Sequence, residues 1–144
     1  YGRMTHNYYL YNNPEMNKIQ WIPWDNNEAL DEGKQGGAVA ISLDDVGANW
    51  PLIRYLIDDQ EYKNFYLKYI DEVIHNAFEP SNMKSLYAYY ETLLEPYTVG
   101  SEGEIAGYSF VFSANEFYDA IQTLKNHVDQ RYAVASDYLS QYSK

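Results

Sequence analysis

The sequence predicts a mainly α-helical domain that opens on a β-hairpin. Three observations lead there. Residues 7–25 set two aromatic-rich runs around a cluster of turn formers. From residue 49 onward, apolar side chains recur at three- and four-residue intervals. The stretches so marked begin at capping residues and end near prolines or glycines. A chain of 144 residues is long enough for one domain with its own core. Residues 1–144 are therefore expected to form a single domain, with 1–48 as hairpin and connector and 49–144 as a helical bundle.

The hairpin is read from Asn7-Tyr11 and Lys18-Trp24, whose aromatic and β-branched side chains suit a pleated surface. Between them, Asn12-Asn13-Pro14-Glu15-Met16-Asn17 predicts a loop of roughly six residues, since Asn tolerates positive φ and Pro presets φ. Pro23 has no N–H to give, so its strand should end or run along an edge there. The second strand delivers a carboxylate, Asp25, at its exit, where a rigid hairpin end offers a place to hold a cation. Asp25 also reads as the N-cap of a helix over Asn26-Leu30, with Glu28 completing a capping box, which is compatible with holding a cation because one Asp can do both.

The connector carries no phosphate cradle. Residues 31–37 (DEGKQGG) lack both the G-x-G-x-x-G and the G-x-x-x-x-G-K-[ST] patterns and read as a flexible link. Ala38-Leu43 is expected as a short buried strand or an extended connector, and Asp44, Asp45 and Gly47 as a solvated turn.

Asn49 is then expected to cap a first helix, with Pro51 in its first turn and Trp50, Ile53, Leu56 and Ile57 at helical spacing. Asp58-Asp59 opens a second helix, its acids favoured at the positive end of the dipole. Along it Tyr62, Phe65, Tyr66, Tyr69, Ile70, Val73, Ile74 and Ala77 form a wide apolar stripe, expected to be core, over about 18 residues. Glu79-Pro80-Ser81 ends it and caps a third helix through Met83, Leu86, Tyr87, Tyr90, Leu93 and Leu94, which Pro96 should stop. Residues 97–109, with three glycines, read as a loop and a candidate flap. Ser113-x-x-Glu116 is a capping box opening the longest helix. Its near-3.5 period, from Phe117 through Ile121, Leu124, Val128, Ala135, Tyr138 and Tyr142, suits one long partner helix. Arg131 interrupts that stripe, either snorkelling at the surface or reaching an acid across the bundle.

Composition excludes several functions. The net charge of −11 disfavours nucleic acid, whose phosphates need clustered Lys and Arg, and disfavours anionic membrane surfaces. There is no cysteine, hence no disulfide or thiolate metal site. No run approaches the ~20 apolar residues of a membrane span. His6, His75 and His127 lack zinc-site spacing.

The segments NYYLYNNP, WIPWD and, further on, NWPLIRYLIDD resemble the C-terminal half of the CotH-like kinases, named for spore coat protein H. These are secreted or surface-associated atypical protein kinases with a divergent kinase fold, and the resemblance covers most of the chain. It implies that the hairpin and helices form the C-lobe of a kinase-like fold. It further implies that Asn7 and Asp25 help bind ATP and Mg²⁺, with Asp25 as the metal-binding acid. Asn27 stands where relatives commonly carry a second acid, so an amide oxygen replaces one charge at the metal. No Asp or Glu occurs in residues 1–14, so a catalytic base is expected upstream of Tyr1 and the chain is read as a fragment. On this reading no catalytic residue lies within it, and its partners are a protein substrate and an N-terminal lobe of the same domain. The isolated chain should then be inactive, without tightly bound Mg²⁺ or ATP. The family also implies an extracellular or cell-surface setting. The competing function is a non-catalytic binding or scaffold module of a surface assembly, in which Tyr1, Tyr8, Tyr9, Tyr11, Trp21 and Trp24 would form an exposed aromatic row.

Overall fold

The computed structural model describes residues 7–26, 30, 39–100, 103 and 111–142. Asn27, Glu28, the glycine-rich residues 31–37 and most of the loop between residues 101 and 110 lie outside the described residues. The chain is mainly helical with an N-terminal antiparallel hairpin, and it divides into two compact units, residues 1–55 and 56–144.

In the first unit, β1 (Tyr8–Asn13) pairs antiparallel with β2 (Lys18–Pro23), from Tyr8 opposite Pro23 to Asn13 opposite Lys18. The loop is tighter than the sequence suggests, because Asn12 and Asn13 stay in the ladder. Asn13 Oδ1 accepts from the backbone N–H groups of Glu15 and Met16 at 3.0 and 3.3 Å, so one amide side chain organises the turn. Asn17 closes it at φ 50°.

Residues 39–50 run as consecutive turns, with no strand among those described. Asp44 and Asp45 occupy an exposed turn, as expected. Val46 is buried at the centre of this segment. Arg54 Nη1 donates to the carbonyl oxygens of Leu43 and Val46 at 3.1 and 3.2 Å, tying the turns to α1 (Pro51–Ile57). The first helical carbonyl of α1 belongs to Trp50, which accepts from Ile53 and Arg54. Trp50, not Asn49, therefore occupies the capping position, and Pro51 follows at N1, where a missing N–H costs nothing.

The second unit is organised around its longest helix. α2 (Gln60–His75) starts at Asp59, whose side chain accepts from the N–H groups of Glu61 and Tyr62. α3 (Pro80–Thr98) starts at Glu79, and α4 (Ala114–Ser140) at Ser113. The box at Ser113 is offset by one residue: Ser113 Oγ accepts from Glu116 N–H, but Glu116 Oε2 reaches back to the N–H of Phe112, at 2.7 Å. Pro96 lies inside α3 instead of ending it. Only Tyr97 and Thr98 follow it in the helix, and Val99 and Gly100 both donate to the carbonyl of Glu95.

Both shorter helices pack on α4. Lys63 lies over the Tyr142 ring and His75 meets the Tyr132 edge, so α2 follows the C-terminal half of α4. Lys84 pairs with Asp129, Lys125 with Glu91, and the Tyr118 hydroxyl donates to Glu95, so α3 follows the N-terminal half. In both cases residue numbers rise on one helix as they fall on the other, and the packing is antiparallel. The expectation of one long partner for α4 is thus corrected to two partners placed one after the other.

The core of this unit sits on α4, at Phe117, Val128, Ala135 and Tyr138, joined by Ile74 of α2. Val128 is wholly buried, a burial that contributes about 1.5 kcal/mol or more. The eight-residue stripe of α2 is not all core. Ile74 is buried and Tyr66 and Ile70 half-buried, while Tyr62, Phe65, Tyr69, Val73 and Ala77 are exposed. A single neighbouring helix covers only part of a stripe that wide. On α3 the residues turned to α4 include Met83, Tyr87, Glu91 and Glu95, leaving Leu86, Tyr90, Leu93 and Leu94 exposed. Burial raises the phenol pKa of Tyr66, opposed by the nearby charge of Arg131. Arg131 itself is exposed, and among the described residues the cross-helix ion pairs are those of Lys84 and Lys125.

Candidate functional site

The site is built by the open end of the hairpin. In an antiparallel ladder, residues directly opposite share a face. One face carries Tyr8, Leu10, Ile19 and Trp21, with Tyr8 stacked on Trp21 at 4.1 Å between centroids. The other carries Tyr9, Tyr11 and Ile22, and Trp24 reaches it to meet the Tyr9 ring edge-on at 6.0 Å. Among the described residues the sheet has two strands, and both of its faces keep exposed aromatics. Tyr9, Tyr11 and Trp24 are 57%, 48% and 59% exposed.

Beyond the ladder, the N–H of Trp24 donates to the carbonyl of Asn7 at 3.1 Å. The pairing therefore runs one step further, Asn7 against Trp24, and brings Asn7 to the same end as Asp25. The two residues singled out from the sequence, 18 positions apart, are gathered by backbone pairing alone. Hydrogen-bonded and non-hydrogen-bonded pairs alternate, so Pro23, opposite Tyr8, falls where its nitrogen faces away from β1. Its missing N–H is thus harmless.

Asp25 has φ 58°, in the left-handed region. For a residue with a Cβ this costs on the order of 1–3 kcal/mol and persists only where the surroundings impose it. The angle also overturns the N-cap reading. The side-chain caps of this chain, Asp59, Glu79 and Ser113, all have negative φ and extended ψ. Asp25 does not share their geometry, and neither Asn26 nor Leu30 is helical. Its carboxylate is exposed, while Asn7 is half-buried.

A carboxylate and an amide carbonyl are hard oxygen donors, the kind Mg²⁺ takes alongside water and phosphate. The donor chemistry of Asn7 and Asp25 fits such an ion. Among the described residues no group of three or more His, Cys, Asp or Glu is placed to hold a metal. A divalent ion held at the Asn7–Asp25 end would find one carboxylate charge there, that of Asp25.

The sequence does not show two features of this unit. Trp24, which the aromatic run places in a strand, lies just past β2 and holds the chain on both sides of the site. Arg54, a lone cation inside PLIRYLI, is the kind of residue that seeks buried carbonyls. It fixes a second strained residue, Leu43 at φ 58°.

A family model described as CotH kinase protein matches residues 2–135. Searches of curated proteins and of solved structures return no match. The match spans the hairpin, the turns and the helices down to Ala135, and with it the Asn7–Asp25 end just described. The chain belongs to the CotH kinase protein family.

Proposed function

We propose that the chain serves as the C-terminal lobe of a CotH-like atypical protein kinase, transferring phosphate from ATP to Ser or Thr of surface or extracellular proteins. Family membership supports the class. The observation that carries the site is the Asn7–Trp24 pairing, which sets Asn7 and the left-handed Asp25 at one end of the hairpin. In this role Asp25 and Asn7 hold Mg²⁺ through their side-chain oxygens, with Asn27 as a further amide ligand. Bound Mg²⁺ neutralises charge on the transferring phosphoryl group. The residues' own contribution is placement: phosphoryl transfer depends on positioning and charge stabilisation more than on covalent chemistry. A lobe with a Gly-rich loop and a phosphate-binding Lys, together with a base, completes the constellation. By itself the chain binds Mg²⁺ weakly and transfers no phosphate. The test combines the chain with such a lobe and follows phosphate transfer to a Ser/Thr protein. Mg²⁺-dependent transfer that Asp25→Asn abolishes is the expected result. Transfer indifferent to Asp25, or micromolar ATP affinity of the isolated chain by calorimetry, overturns it.

A second reading is supported by the exposed Tyr9, Tyr11 and Trp24 on one hairpin face: a scaffold that stacks aromatic rings on a sugar or partner protein. Adhesion to a surface polymer that Tyr11→Ser removes, with Mg²⁺ affinity unchanged, favours this second reading over the first.

A further inference from the structure

We infer that Trp24 and Tyr9 are positioning residues for Asp25, an aromatic brace that imposes its left-handed backbone; this rests on the reading of Asp25 as a metal ligand. Three constraints act on the chain just before Asp25. The Pro23 ring fixes its own φ and restricts Ile22 to extended conformations. The N–H of Trp24 is bound to the Asn7 carbonyl at 3.1 Å, which orients the peptide entering Trp24. The Trp24 ring meets Tyr9 edge-on at 6.0 Å, the arrangement that aromatic quadrupoles favour, and this holds the side chain across the sheet. With residues 22–24 so held, the chain turns at Asp25, whose φ is 58°.

The exposure of Trp24 makes the point sharper. A tryptophan 59% open to solvent contributes little to a core, yet it is held by both backbone and ring beside the strained residue. Strain of this kind stays only where neighbours over-determine it. Loss of the ring contact removes the one side-chain constraint of the three, so Asp25 relaxes toward negative φ and its carboxylate leaves the end it shares with Asn7.

The experiment uses the 144-residue chain and two independent readouts. NMR scalar couplings report the φ of Asp25, and Mn²⁺ alone, followed by paramagnetic broadening, reports metal affinity. Trp24→Ala should abolish the positive φ and weaken Mn²⁺ binding about tenfold or more, the range seen when groups supporting a ligand are removed. Trp24→Phe, which keeps an aromatic edge, should restore both. If Trp24→Ala unzips the hairpin, seen as loss of the Leu10–Trp21 cross-strand signals, Tyr9→Leu decides, because it removes the partner ring while keeping a strand-compatible side chain. A positive φ that survives loss of either ring overturns the brace and leaves the metal reading standing. Mn²⁺ affinity unchanged in Asp25→Asn overturns the metal reading, while the coupling data still judge the brace.

Discussion

The two compact units of this chain solve opposite problems with similar side chains. Both are rich in aromatics, but the helical unit gathers Phe117, Val128, Ala135 and Tyr138 of α4 with Ile74 into a core, and its helix caps sit in relaxed extended geometry. The hairpin unit buries almost nothing of its strands. It keeps Tyr9, Tyr11, Trp21 and Trp24 exposed and holds Asp25 and Leu43 at positive φ. Low burial together with stored strain is the physical profile of a region shaped by function, whereas relaxed caps and a buried spine belong to a support. Substitutions in the helical unit should therefore cost stability, and those at the end of the hairpin should cost chemistry.

The largest effect is expected in the support. Phe117→Ala removes a buried ring near the start of α4 and should destabilise the helical unit by about 3 kcal/mol or more, read as a lowered melting temperature in helical circular dichroism. A loss below about 1 kcal/mol would mean that the α4 face is not the core it resembles. Ser113→Ala comes next. It deletes the side-chain acceptor of the Glu116 N–H and should cost about 1 kcal/mol.

Asp25→Gly probes the other side of the contrast. Glycine accepts positive φ without steric penalty but gains freedom in the unfolded chain, so stability should rise by less than about 1 kcal/mol while metal affinity is lost. A variant that becomes both less stable and unchanged in Mn²⁺ binding would erase the distinction between the units. The smallest effect is electrostatic. The Glu79 carboxyl is held below its usual range by the Ser81 hydroxyl first, then by the N–H groups of Asn82 and Ser81. Its contribution is complete above the ordinary glutamate pKa and is lost as pH falls through the lowered value, so α3 should weaken on acidification. Glu79→Gln should flatten that part of the pH profile in thermal melts.

What the sequence reveals follows the range of each interaction. The caps at Asp59 and Ser113 are legible because donor and acceptor lie within three residues. The hairpin is legible because its aromatic runs flank Asn and Pro. The burial of α2 is not, since periodicity shows which residues are apolar and says nothing of how wide a neighbour covers them. Tyr62 and Tyr69 have the spacing of core residues and are exposed, because α2 packs on α4 and, among the described residues of its unit, on no other helix. Pro96 shows the same limit: a helix stop in sequence terms, it lies inside α3, which runs on to Thr98. At the site, Asn7 and Asp25 could be named from the sequence. The sign of a backbone torsion could not, because Asp serves equally well as cap, turn residue or ligand.

The division of the chain has a spectroscopic consequence. All three tryptophans, Trp21, Trp24 and Trp50, belong to residues 1–55, and unit 56–144 has none. Selective excitation of indole therefore watches the hairpin and its connector alone, while the tyrosines of α2, α3 and α4 dominate the remaining near-ultraviolet signal. Two of these reporters, Trp21 and Trp24, lie on opposite faces of the hairpin, each against a tyrosine of β1. The chain carries an intrinsic two-colour probe, and titrations of nucleotide, metal or polymer can be assigned to one unit or the other without any label.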